Sequence, residues 1–182
     1  INRRHNEIHG EKTGFFGFFE SVADENVSSA LLGAAEAFVK SRGMDVIRGP
    51  ANPSSNDTWG LLVEGFDTPP AFLMPYNPAY HERLIRAAGY GKAMDLLAWE
   101  VGQGTPERLA RAAEIVRKRH PKIRVRGANL KDFMGELARI RKIYNEAWEK
   151  NWGFIPLTPE EFDQVAKDMK PIVMPELLML AE

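Results

Sequence analysis

Apolar positions along this chain alternate between two spacings, and the changes mark its elements. In residues 14–20, GFFGFFE, four Phe fall between positions 15 and 19. A strand built from them is apolar on both faces, which predicts a buried central strand ending at Glu20. Helical spacing follows over 24–42, with Val27, Leu31, Ala34, Ala35 and Phe38 on one face. Asp24 is the expected N-cap and Gly43 the stop. Residues 44–48, MDVIR, read as a short strand, and strand–helix–strand in this order predicts a crossover with parallel pairing.

Half of the 12 prolines lie between Pro50 and Pro78. That stretch predicts irregular structure around a short helix over 57–64. A helix over 78–88 follows, presenting Tyr80, Leu84, Ile85 and Ala88 and stopping at Gly89. Residues 93–101 read as a strand buried on both faces. Gly102-Gln103-Gly104 signals a linker, and Thr105-Pro106 opens another helix, with the hydroxyl as cap and Pro in the first turn. Residues 122–126, KIRVR, alternate like a strand. Helices are expected over 130–151 and 159–170, the latter behind a Thr158/Glu161 capping box. Residues 175–181, PELLMLA, read as a last apolar strand.

The 182 residues suit one domain or two small ones, with 44% apolar and 27% charged positions typical of a globular protein. With no Cys, a disulfide scaffold, a thiolate zinc site and a cysteine nucleophile are excluded. A cytoplasmic location is expected. No apolar run is long enough to span a membrane, and no membrane partner is expected. Residue 1 is Ile, and the chain is read as a window within a longer polypeptide. The net charge of −1 argues against a globally basic nucleic-acid protein. Residues 107–126 nevertheless carry eight Lys or Arg against two acids. Their helix also bears Leu109, Ala112, Ala113 and Val116, so the charges are read as the wet side of an amphipathic helix. Without interleaved aromatics for base stacking, nucleic acid ranks last among the partners.

Other chemistry is sparse. On a strand, His5, Glu7 and His9 would share one face and resemble a two-histidine, one-carboxylate metal site. The zincin pattern needs Glu directly after the first His, where Asn6 stands, so the stretch is read as a polar terminal strand and no metal is assigned. Neither a dinucleotide fingerprint, a phosphate loop nor a serine-hydrolase elbow is present. Ser54, Ser55, Asn56 and Asp57 form a polar cluster that suits helix capping better than ligand binding.

Several stretches carry a family resemblance: GFFGFFE (14–20), RGPANPSSND (48–57), GLLVEGFDTPP (60–70) and MPYNPAYHERLIRAAGYGKAMDLLAWEV (74–101). They resemble the back half of a GNAT-type acyl-CoA N-acyltransferase, in a bacterial branch with two such domains in tandem. RKIYNEAWEKNWGFIPLTPEEF (141–162) and KPIV (170–173) are similar to the opening of the second domain. The resemblance implies an α/β (α+β) fold, with a GNAT-like, mostly antiparallel central sheet and helices on both faces, permuted or composite. Residues 1–101 would be the C-terminal part of one domain, 102–121 a linker helix, and 122–182 the N-terminal part of the next.

The implied activity is transfer of an acyl group from acetyl-CoA or another acyl-CoA to a small-molecule amine. Glu20 would be the base, and Tyr76 or Tyr80 the acid that protonates the thiolate. Asn26, Val27, Ser28 and Ser29 would cradle the coenzyme pyrophosphate at a helix N-terminus. Asn52 and Asn56 would orient substrate. In that superfamily the cradle is glycine-rich and holds Arg or Gln, whereas residues 21–29 contain no Gly and no Arg and place Asp24 and Glu25 at the helix start. The usual tyrosine, four residues before the helix-ending glycine, would fall on Leu61 or Ile85. The alternative is a non-catalytic GNAT-like domain that binds a partner or scaffolds an active half. Open sheet edges suggest a homodimer.

Overall fold

Thr13 and Val46 open a parallel pairing that organises the first part of the chain. The computed structural model describes residues 1–100, 102, 104–171, 173–174 and 176–182. It divides into two units: Ile1–Leu97 with Trp148–Pro156, and Ala98–Ala147 with Leu157–Glu182.

The first unit begins with a helix, α1 (Arg3–His9), where the polar pattern had suggested a strand. Asn2 caps it by accepting from the His5 amide at 3.0 Å, and Gly10 closes it at φ 63°. A side-chain cap and a left-handed glycine eight residues apart outweigh the weak alternation between them. Strand β1 (Thr13–Phe15) pairs parallel with β2 (Val46–Arg48), joined by α2 (Glu25–Ser41), as the strand–helix–strand order predicts. Gly14 is required here, since a Cβ would lie 2.5 Å from Val39 Cγ1.

The central strand expected over 14–20 is shorter than its apolar run. β1 ends at Phe15, and Phe18 turns outward at φ 51° with 75% of its surface exposed. Gly17 lies so close to the next segment that a Cβ would meet the Ala51 carbonyl oxygen at 2.0 Å. Phe16, Leu32 and Ile85 form the core, with Phe19, Ala35, Ile47, Leu61, Ala88 and Tyr90 packed around it. The buried side of α2 is rotated from the expected one: Ser28, Leu32 and Val39 are buried, while Val27, Leu31 and Phe38 are exposed. On that side Val39 lies against Gly14 of β1.

Residues 57–64 form no helix. β3 (Ala51–Asn52) and β4 (Thr58–Trp59) make an antiparallel pair there. α3 (Tyr80–Ala87) lies where expected and packs on α2, burying His81, Leu84 and Ile85. The strand expected over 93–101 is absent among its described residues, 93–100, and Met94, Leu96, Leu97 and Trp99 are exposed. Apolar content alone does not make a strand without a partner edge, and none pairs with this segment among the described residues. Val101 lies outside the described residues.

The second unit holds α4 (Glu107–Arg119), β5 (Val125–Gly127), a 3-10 turn at Leu130–Asp132, most of α5 (Phe133–Trp148), α6 (Pro159–Met169) and β6 (Met179–Ala181). β5 and β6 pair antiparallel, with Arg126 opposite Leu180. The capping box forms: Glu161 N–H donates to Thr158 Oγ1 at 3.2 Å, and Thr158 N–H to Glu161 Oε2 at 2.8 Å. Thr105 does not cap α4, whose N-cap is Pro106 with no side-chain hydrogen bond. Glu136 is buried and held by Arg126 at 3.1 Å and Arg139 at 2.7 Å.

The described residues are mixed α/β with six α-helices. Their strands form three separate two-stranded sheets, one parallel and two antiparallel, rather than the expected central sheet.

Candidate functional site

Two clusters in the first unit gather the chemistry-bearing side chains. The first lies where the chain leaves β1 and enters α2. Glu20 is exposed at the end of the phenylalanine-rich stretch. Tyr80, at the start of α3, donates its hydroxyl to the Ser21 carbonyl at 3.0 Å and so comes beside that exit. Tyr76 is 58% exposed on the approach to α3. Asn52 accepts from the Phe18 amide through Oδ1 at 2.5 Å, taking the place of a backbone carbonyl just past β1. Asn56 belongs elsewhere: its Nδ2 donates to the Ile155 carbonyl at 2.8 Å.

The N-terminus of α2 is already satisfied from within the chain. Asp24 Oδ1 accepts from the Asn26 and Val27 amides at 2.7 and 3.4 Å. Ser28, fully buried, donates its hydroxyl to the Glu25 carbonyl at 3.1 Å, and Glu25 pairs with Arg83. Ser29 is exposed. A diphosphate needs those amides free and no carboxylate in front of them. Residues 26–29 as arranged do not fit the pyrophosphate of an acyl-CoA.

His81 is a member of this region that sequence alone does not single out. Its ring is fully buried, lies 5.0 Å from both Phe19 and Tyr80 in edge-on contact, and has no hydrogen-bond partner on either nitrogen among the described residues. Its signal is weak because its neighbours in space, Phe19 above all, are remote in sequence.

The second cluster surrounds α1. His5 and His9 stand one turn apart with ring centroids at 4.5 Å, and Glu7 is exposed. The third partner of His5 is Glu11 instead: His5 Nε2 meets Glu11 Oε2 at 3.0 Å, Thr13 Oγ1 donates to the same oxygen at 2.9 Å, and Arg48 approaches it at 3.3 Å. No group of metal-ligating side chains forms a metal site among the described residues. Burial opposes ionisation of Glu11, but the hydrogen bonds from His5 and Thr13 and the Arg48 charge outweigh it and hold its pKa at about 2. Burial pushes the His5 imidazole below its ordinary value, against the pull of Glu11 and with the help of His9 and Arg48. An ionised carboxylate only accepts, so the network assigns the His5 proton to Nε2. Its Nδ1 is buried without a hydrogen-bond partner among the described residues. A neutral imidazole oriented by a carboxylate has the geometry of an acid–base pair. With the residue 0% exposed, however, it works as a tie between α1 and the β1–β2 pair.

Comparison with known proteins gives two relatives. The chain is 38% identical over 185 aligned positions to "Protein YghO" of Escherichia coli (strain K12), covering 100% of this chain and 47% of that protein. It is 35% identical over 174 positions to "Bacterial ceramide synthase" of Caulobacter vibrioides (strain NA1000 / CB15N), covering 95% of this chain and 45% of that protein. No family model matches the chain. No solved structure matches it either. The chain thus spans about half the length of the curated relatives it matches.

Proposed function

We infer that this chain is part of an N-acyltransferase that joins an acyl group to the amine of a lipid-like, small-molecule acceptor. The observation that carries the reading is the 35% identity, over 95% of the chain, to a protein named a bacterial ceramide synthase. A ceramide contains an amide between a fatty acid and a long-chain amino alcohol, so its synthesis is an acyl transfer to nitrogen. The stretches that resemble GNAT-type N-acyltransferases support the same reaction class, and a GNAT-like fold belongs to the proposal.

In this reading a carbon–nitrogen bond forms as the donor's leaving group departs. Glu20, exposed at the end of the phenylalanine-rich stretch, takes the amine proton. Tyr76, exposed nearby, gives a proton to the leaving group, and Tyr80 can do so only once its hydroxyl turns away from the Ser21 carbonyl. Asn52 keeps the Phe18 turn in place beside them. The donor's head group is held away from the α2 N-terminus, because Asp24 occupies the amides there. Association of two copies is part of the proposal.

The Asp24 arrangement also favours a second reading, in which these residues scaffold an active partner half and do no chemistry. One experiment separates the two. The protein is incubated with acyl thioesters and a panel of amines, including a long-chain amino alcohol, and products are read by mass spectrometry. Catalysis predicts an N-acyl product with one thiol released per amide. Failure of the folded protein to acylate any amine in the panel would favour the scaffold.

A further inference from the structure

We propose that α4, with the basic segment that follows it, is a docking surface for an anionic lipid bilayer. The inference rests on this one element and is independent of the acyl-transfer reading.

α4 is 13 residues long and buries none of them. Leu109, Ala112, Ala113 and Val116 recur at i, i+3, i+4 and i+7, the spacing of a helix that covers its apolar stripe. Here Leu109 is 59% exposed and Val116 48% exposed. At about 100° per residue, Arg117 and Arg119 fall on either side of that stripe.

Charge selects the occupant. Arg117, Lys118, Arg119, Lys122 and Arg124 are all exposed and form no ion pair among the described residues. The helix dipole accounts for cations in the last turn, but Lys122 and Arg124 lie beyond the helix end. A cluster of Lys and Arg beside an uncovered apolar stripe suits a surface with anionic head groups above an acyl layer. Nucleic acid would satisfy the charges but leave Leu109 and Val116 in water, and this segment has no Phe, Tyr or Trp for stacking. No helix among the described residues is long and apolar enough to cross a membrane, and the proposed contact lies on its surface.

The test is sedimentation of the protein with vesicles of phosphatidylcholine alone or mixed with phosphatidylglycerol, over a range of salt. The expected result is binding to the anionic vesicles only, weakening as salt rises. The double substitution Arg117→Glu and Arg119→Glu, at the two cations that flank the stripe, is expected to reduce binding by roughly a hundredfold or more. Leu109→Ser with Val116→Ser should weaken it with the charges intact, and circular dichroism checks that each variant keeps its helix content.

Equal binding to both vesicle types, or none to anionic vesicles by folded protein, would overturn the proposal. So would binding to duplex DNA that survives the Ser substitutions, or concentration-dependent self-association that both variants abolish in the absence of vesicle binding.

Discussion

Asn56 donates from Nδ2 to the backbone carbonyl of Ile155, 2.8 Å away and 99 residues further along the chain. It is one of four such ties. Ser55 Oγ donates to Gly153 O at 2.9 Å, His9 Nε2 to Phe154 O at 2.9 Å, and Arg4 to Pro156 O. Four successive carbonyls of one segment are thus held by side chains from α1 and the loop before β4, with Phe154 and Ile155 buried at 4% exposure each.

Asn56→Ala leaves the Ile155 carbonyl without this donor and is expected to lower unfolding free energy by about 1–3 kcal/mol. Urea denaturation measures it. If stability were unchanged while acyl transfer fell, Asn56 would be a substrate contact, as the sequence suggests, and not a tie.

The Glu11 site should make the protein acid-sensitive in two stages. The folded Glu11 pKa of about 2 lies below its ordinary 4.5, so its stabilisation is complete above the unfolded value and is lost as pH falls from 4.5 through 2. The folded His5 pKa is also lowered, so the unfolded chain binds its proton first and stability begins to fall below pH 6.5. At neutral pH Glu11→Gln should cost about 1–2 kcal/mol, after allowance for solvent at a side chain 35% exposed. Its stability should also be flatter between pH 4.5 and 2. An unchanged slope in that window would remove Glu11 from the account.

The register of α2 gives a direct packing test. Leu32, 2% exposed, should cost about 2–5 kcal/mol when replaced by Ala. Leu31, 48% exposed, should cost under about 1 kcal/mol. A reversal of that order in thermal or urea unfolding would restore the face suggested by sequence periodicity.

These elements show what could be read from the chain and what could not. The β1–α2–β2 crossover, α3 with its stop at Gly89, the Thr158/Glu161 box and the presence of strands near β5 and β6 were legible because caps, glycines and periodicity are local signals; that β5 and β6 pair with each other was not. α1 was misread because its Asn2 and Gly10 punctuation was set against a polar stretch that suits either element. Residues 93–100 and the Phe18 turn failed for the opposite reason: apolar content says that burial is favourable, not what is there to bury against. In the candidate site, Glu20 and Tyr80 could be proposed by position. The His5–Glu11–Arg48 cluster could not, since Arg48 reaches Glu11 from 37 residues away.

Asp24 acts as the ligand of its own helix. Asp24→Ala should lower stability by about 0.5–2 kcal/mol through loss of the cap. Titration calorimetry with CoA should detect no binding to the native chain at this terminus. Micromolar binding that shifts the Asn26 and Val27 amide resonances would show that a diphosphate displaces the carboxylate.

The most direct measurement of the central claim is the rate of amide formation by the protein and by its Glu20→Gln variant, with an acyl thioester and a long-chain amino alcohol. The account predicts N-acyl product from the first, a loss of about a hundredfold or more in the second, and the same melting temperature for both. Absence of product from the native protein, or an equal rate from the variant, would contradict it.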